Sequence, residues 1–206
     1  MGVLERKQRE KEELKSLILN TATRMFIEDG YENASLRKIA EAIEYSPATI
    51  YLYYKNKDEI YYAIQEIAFD KFYQKLEEFN FIKDPLGRLR SVANSYLAFA
   101  RENPGLYKLM FMMDEPMNHL ENKGEWEQGK KCHAFIKKHI TACVEQNLIK
   151  RMSHEEGTFI FWSFIHGLSS LASTQRLQFY GNKDAMNDYY KTVIDKMIET
   201  LTPSYF

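Results

Sequence analysis

One spacing constrains this chain more than any other feature: apolar residues recur at i, i+3 and i+4, and β-branched alternation is missing. Leu14, Leu17, Ile18, Ala22, Met25 and Phe26 share one face of a first helix, which Asp29-Gly30 stops. Ser35 is placed to cap a short helix carrying Leu36, Ile39, Ala40 and Ile43. Ser46-Pro47 opens a third, with serine as N-cap and proline at the first helical position. Asn56 caps a fourth that runs to about Asn80, with Glu59 at the capping-box position.

Further along, Pro85 starts a helix ending near Asn103, and Asn103-Pro104 opens a short one ending before Pro116. Pro116, Asn118, Asn122 and Gly124 mark 113–124 as a loop. A long helix is expected from about Gly124 to Leu148. Another is expected from Ser153, with Glu156 as its box partner, to Tyr180-Gly181, and a last one from Lys183 to Leu201. The pattern predicts an all-α protein of about nine helices, without internal repeats or low-complexity linkers.

Composition narrows the function classes. Of 206 residues, 45% are hydrophobic and 28% charged, as in a folded protein, and the net charge of −1 excludes a polycation that coats nucleic acid. Two cysteines are too few for a disulfide framework and fit a reducing cytoplasm. The N-terminus lacks the apolar core of a signal peptide. The greasiest run, Phe159–Ile165, is far short of the ~20 residues of a spanning helix. The expected location is therefore cytoplasmic, with no membrane partner.

The three short helices followed by a long one admit a helix-turn-helix, in which the second helix of a crossed pair enters a major groove. Ile39, Ala40, Ile43 and Ile50 are candidates for the small core between the two helices, and Ser35 and Ser46 put N–H groups at helix starts suited to phosphate. Between Ser35 and Lys57, Arg37, Lys38, Lys55 and Lys57 oppose Glu41 and Glu44, a local charge of +2. Ordinary capped short helices would look the same.

The stretch from Ile18 to Ile60, ILNTATRMFIEDGYENASLRKIAEAIEYSPATIYLYYKNKDEI, resembles the DNA-binding domain of the tetracycline-repressor (TetR) family. The resemblance rests on Phe26, Gly30-Tyr31, Ser35, Ile39-Ala40, Ser46, Thr49, Ile50-Tyr51, Tyr54, Lys57 and Glu59. It implies a homodimeric regulator, usually a repressor, released from a double-stranded DNA operator by a small ligand. The implied organisation is a helix-turn-helix domain over 1–55 and a ligand-binding and dimerisation bundle over 56–206. By position, the implied DNA contacts are Ser35, Arg37, Ser46, Pro47, Ala48, Thr49, Tyr51, Tyr53 and Lys57. Pro47 and Ala48 would offer apolar contacts, Thr49 a base edge or phosphate, and Tyr51, Tyr53 and Lys57 phosphate contacts. Tyr45 and Tyr54 are expected in the core. One departure stands out: the family has glycine in the turn where this chain has Glu44, a strained choice if φ is positive there.

WSFIHGL, Trp162 to Leu168, is similar to the Trp-x-x-x-His-Gly signature of one TetR subgroup. With Tyr107, Met110, Phe111, Met113, Phe159 and Phe164, Trp162 and His166 make the second half rich in aromatics and methionines, suited to an apolar ligand cavity or to ordinary core. His166 would bond a carbonyl, and Gly167 would let two helices approach closely. Cys132, His139 and Cys143 share one helix face with Phe135, Ile136 and Ile140, and read as a buried stripe rather than a metal or thiol sensor. Ile160, Phe164, Leu168 and Leu171, with Tyr190, Val193, Ile194, Met197 and Leu201, are candidates for a dimer face. Neither a cofactor nor a catalytic constellation is expected. The rival reading is a helical-bundle carrier or enzyme without DNA binding.

Overall fold

The computed structural model describes residues 2–113, 126–181 and 183–203. Among these are nine α-helices, one 3-10 turn and no strand: α1 (Val3–Glu28), α2 (Leu36–Ala42), α3 (Pro47–Tyr51), α4 (Lys57–Glu77), α5 (Pro85–Glu102), α6 (Pro104–Phe111), α7 (Glu127–Glu145), α8 (His154–Ser173) and α9 (Lys183–Leu201), with the 3-10 turn at Gln178–Tyr180. The all-α expectation holds. The loop expected over 113–124 lies outside the described residues except for Met113, as does the expected helix start at Gly124. The chain falls into two compact units, Met1–Ala68 with Lys108–Trp126, and Phe69–Tyr107 with Glu127–Phe206.

Unit one is built on an aromatic trio. The rings of Phe26, Tyr31 and Tyr61 lie 5.3 to 5.5 Å apart, with Tyr31 edge-on to Tyr61. Around them Ile18, Ala22, Ile39, Ala40, Ile50 and Ile60 are fully buried. Each such isoleucine side chain contributes about 1.5–3 kcal/mol, enough to hold helices as short as five and seven residues that would not persist alone. The Tyr61 hydroxyl and the Gln65 amide both donate to the Leu109 carbonyl.

Unit two centres on α5, which packs against α7, α8 and α9. Its seam of Leu89, Val92, Ala93, Tyr96 and Ala100 meets Phe161 and Ile165 of α8, with Ile136 and Ile140 of α7 and Ile194 and Ile198 of α9 also in the core. Gly157 of α8 is required there, because a Cβ would stand 2.8 Å from Ile140 Cγ2. Gly167 has no such role: nothing lies within 4 Å of its added Cβ, so it does not serve the close approach expected of it.

Three helices end without glycine, on the same hydrogen-bonded C-terminal turn. Glu44, Asn147 and Gln175 have φ of 59°, 55° and 57°. The N–H of the next residue reaches back across the last turn each time, as Tyr45 to Ala40, Leu148 to Cys143 and Arg176 to Leu171. This is the Schellman arrangement. It stops α8 at Ser173, well short of the expected Tyr180, and α7 at Glu145 rather than Leu148. The expected caps at Ser35, Ser46, Asn56 and Ser153 are all formed.

Candidate nucleic-acid interface and interior polar cluster

The α2–turn–α3 pair sits on unit one by its inner face. Ile39, Ala40 and Ile50 are excluded from solvent, and Tyr54, just beyond α3, is buried. The turn between them closes on Glu44, whose left-handed backbone is the strained choice noted in the sequence. That geometry corrects the expectation for Tyr45. The Schellman turn carries its side chain outward, leaving it 46% exposed rather than in the core. Tyr54 has no hydrogen-bond partner for its buried hydroxyl, and burial first, then Glu12, push its pKa up to about 12.

The outer face presents the residues expected at DNA. Ser46, Ala48 and Arg37 are exposed, Tyr51 is 59% exposed, and Ser35, Pro47, Thr49 and Tyr53 are half-buried. Ser46 accepts from the Thr49 amide at 3.2 Å, and the two hydroxyls are 2.9 Å apart. The cap thus fixes the Thr49 side chain at the start of α3. Ser35 caps α2 in the same way, accepting from Lys38 at 3.2 Å.

Lys57 is placed differently. Its ammonium donates to the Tyr31 carbonyl at 3.1 Å, lies 4.0 Å from the Tyr31 ring centre and stands 3.7 Å from Glu32. It therefore braces the aromatic trio of unit one. Two further residues beside this face are exposed: Leu52, 83% exposed next to Tyr51 and opposite Ile50 in helix phase, and Lys55, just beyond α3. Among the described residues, Arg37 and Lys55 have no ion-pair partner.

In unit two, a polar cluster is embedded in the aromatic core. The Tyr107 hydroxyl lies 2.7 Å and the Tyr96 hydroxyl 3.2 Å from His166 Nδ1, and Trp162 donates to the Tyr96 oxygen at 3.3 Å. Burial holds the His166 pKa below its ordinary value, which favours the neutral ring. Burial likewise raises both tyrosines, which stay hydroxyls, with Tyr107 adding to the effect on Tyr96. α5 and α6 bring both phenol hydroxyls onto the His166 ring.

Tyr107, Trp162 and His166 therefore meet as a group, joined by Tyr96, which the sequence did not single out. Only its place in the α5 seam hinted at burial, and nothing there gave its partner. Met110, Phe111 and Met113 belong to unit one, with Met110 buried and the other two half-buried. Phe159 is corrected: it is 67% exposed. Phe161 takes the inward position on α8, and Phe159 lies two residues, roughly 200°, around the helix.

The second half of the expected dimer face is corrected too. On α9, Tyr190, Ile194, Met197 and Leu201 are buried within the chain, and Val193 is half-buried. On α8, Ile160 and Leu171 are exposed, and Phe164 and Leu168 half-buried. Cys132, His139 and Cys143 are buried on α7 with Phe135, Ile136 and Ile140. Cys132 Sγ lies 3.5 Å from the Phe69 carbonyl, and His139 Nδ1 is 3.2 Å from the Arg88 guanidinium. No helix among the described residues is long and apolar enough to cross a membrane.

A capped helix pair with a bare outer face, followed by an all-helical second unit, defines a helix-turn-helix protein. Family models match the chain twice, as bacterial regulatory proteins of the tetR family over residues 18–64 and as a tetracyclin repressor-like C-terminal domain over 89–197. The second match spans more than half of the chain, and the protein belongs to the TetR family of regulators. An HTH-type transcriptional regulator of Haemophilus influenzae is 30% identical over 95 residues, 46% of this chain and 51% of its own length. The chain thus spans about half the length of that curated relative.

Among solved structures, the fatty acid degradation regulator FadR of Bacillus halodurans superposes with a TM-score of 0.72 at 15% identity, covering 92% of this chain and 95% of its own. AibR in complex with isovaleryl coenzyme A and operator DNA gives 0.67 at 21% identity, covering 93% and 99%. At such identities the likeness speaks to the fold alone.

Proposed function

We propose that this protein is a homodimeric, ligand-responsive transcriptional repressor acting in the cytoplasm. In this reading residues 1–55 read the operator, and residues 56–206 bind ligand and dimerise. The observation that carries it is the outer face of α3. Thr49 is fixed by its cap and Ala48 and Tyr51 face solvent, while Arg37 and Lys55 beside them lack ion-pair partners. Thr49 and Ala48 would read base edges, and Ser35, Arg37, Ser46, Tyr51 and Tyr53 would fix position on phosphates. Pro47 adds an apolar contact. Lys57, which holds Tyr31 in the free protein, would meet a phosphate from the start of α4.

The dimer would form on α8, whose exposed Ile160 and Leu171 extend the half-buried Phe164 and Leu168 into one apolar stripe. The ligand is an apolar molecule with one hydrogen-bonding group, taken up by Tyr96, Tyr107 and His166 beside Trp162 in unit two. The shared bonding of Trp162 and His166 through Tyr96 supports assignment to the Trp-x-x-x-His-Gly subgroup. Acyl compounds are the first class to test, since FadR is named for fatty acid degradation and AibR was solved with isovaleryl coenzyme A. A ligand releases DNA only as far as its affinities for the two states differ.

Selection from random-sequence DNA tests the reading. It expects one palindromic duplex bound by a dimer, with Tyr51→Phe weakening all variants of that duplex alike. Lys57→Ala is expected to lower the slope of log K against log salt by about 0.9 per subunit. Recovery of no selected sequence overturns the proposal.

A further inference from the structure

The family match begins at Ile18, yet α1 begins at Val3, and every side chain from Val3 to Glu13 is exposed. About three turns of helix thus overhang the core of unit one. Their charges are sorted. Each of the four glutamates has a partner: Glu5 takes the Gly2 amide at 2.8 Å, Glu10 takes Arg6 at 3.3 Å, Glu12 takes Gln8 at 2.9 Å and Glu13 takes Arg9 at 3.5 Å. Lys7, Lys11 and Lys15 have no ion-pair partner among the described residues.

Those three lysines are spaced i, i+4, i+8 and lie on one face. That face continues into Ile18 and Ala22, the seam that α1 buries in unit one, where it packs on α2. The overhang therefore presents its lysines on the side where the helix-turn-helix lies. The stripe is ~12 Å long at 1.5 Å per residue, and duplex phosphates rise ~3.4 Å per step along a strand. A row of lysines of that length spans several phosphates in succession.

We propose that the overhanging turns of α1 form a second, sequence-independent DNA contact, with Lys7, Lys11 and Lys15 lying along phosphates that flank the site read by α3. The inference rests on the regulator reading and goes beyond it, because these residues lie outside the matched family region. They add affinity and salt dependence without adding base discrimination.

The test compares the full chain with its K7Q/K11Q/K15Q variant, and with the corresponding triple arginine variant, on the duplex recovered by selection. Fluorescence anisotropy at several salt concentrations reads the slope of log K. The glutamine variant is expected to lose about 0.9 of slope per lysine, about 2.7 per subunit, while the rank order of mutated operators stays unchanged. The arginine variant is expected to keep the wild-type slope. Trimming the duplex to the two half-sites is expected to remove the difference between wild type and glutamine variant. The substituted side chains are exposed, and matching circular dichroism and melting confirm the fold. A selective wild-type protein whose glutamine variant keeps the full slope overturns this contact and leaves the regulator reading standing. A wild-type protein that selects no duplex overturns both.

Discussion

The reading head and the interior of unit two carry their chemistry in opposite ways. On α2 and α3 the polar groups face outward, and the cap groups are set by a neighbour three residues away, as Thr49 is by Ser46. In unit two the polar groups face inward, and each is set by a residue tens of positions away, as His166 is by Tyr107 and Tyr96. The first arrangement survives loss of any one outer side chain, because the short helices are held from below. The second is part of the packing itself. Outer-face chemistry and stability are separable on α2 and α3, whereas the polar cluster of unit two is part of its packed core.

Truncation should expose that contrast most strongly. Phe72 is fully buried, 4.8 Å from the Tyr96 ring and 4.9 Å from Phe99. Phe72→Ala is expected to cost about 3–5 kcal/mol in urea unfolding, because a ring-sized cavity opens under the polar cluster. Tyr51→Ala on the outer face is expected to stay within about 0.5 kcal/mol of wild type while weakening DNA binding. A Phe72→Ala loss below about 1 kcal/mol would break the comparison, showing that the interior yields as readily as the surface.

A pH titration sharpens it. His139 is buried, its Nδ1 faces the Arg88 guanidinium, and its Nε2 has no partner. Burial first, then Arg88 and Lys138, bring its pKa down from 6.5 to about 4. The folded ring stays neutral while the unfolded one takes up a proton, so the unfolded state binds more protons between those values. Stability is therefore fully present above pH 6.5 and falls as pH drops toward 4. Between pH 6 and 5, where carboxylates contribute little, the expected loss is about 1 kcal/mol per pH unit. His139→Gln keeps an acceptor for Arg88 and is expected to remove this contribution. An unchanged slope in that variant would assign the effect to other groups.

The same contrast explains what the sequence made legible. Helix phase and caps act within one or two turns, so the all-α class and the buried Ile50 were readable from spacing, while the buried Tyr54 and the exposed Tyr51 followed from the family resemblance. The left-handed closures at Asn147 and Gln175 were not, because neither residue announces a stop as glycine does. Tyr45 was misplaced because burial after a turn depends on how the turn closes. The partners of Tyr96 and His166 come from contacts 59 to 70 residues apart, which no local pattern encodes. Phe159 went wrong by helix phase alone, since the run around it is apolar on every side and Phe161 takes the inner position.

The smallest effect lies in the turn of the reading head. Glu44 holds φ at 59°, where a side chain is disfavoured by about 1–2 kcal/mol. Glycine removes that strain but loses about 0.5–1 kcal/mol more backbone freedom on folding. Glu44→Gly is therefore expected to stabilise the protein by about 0.5–1 kcal/mol, read as a higher urea midpoint with an unchanged m-value. Glu44→Ala separates the causes, because it removes the carboxylate and keeps the Cβ that the left-handed backbone resists. An equal gain in both variants would trace the effect to charge, and a gain in glycine alone to the backbone. Because the turn is closed by main-chain bonds from Glu44 to Glu41 and Tyr45 to Ala40, the substitution leaves the outer face of α3 in place. Stability should rise while the ranking of operator variants stays the same.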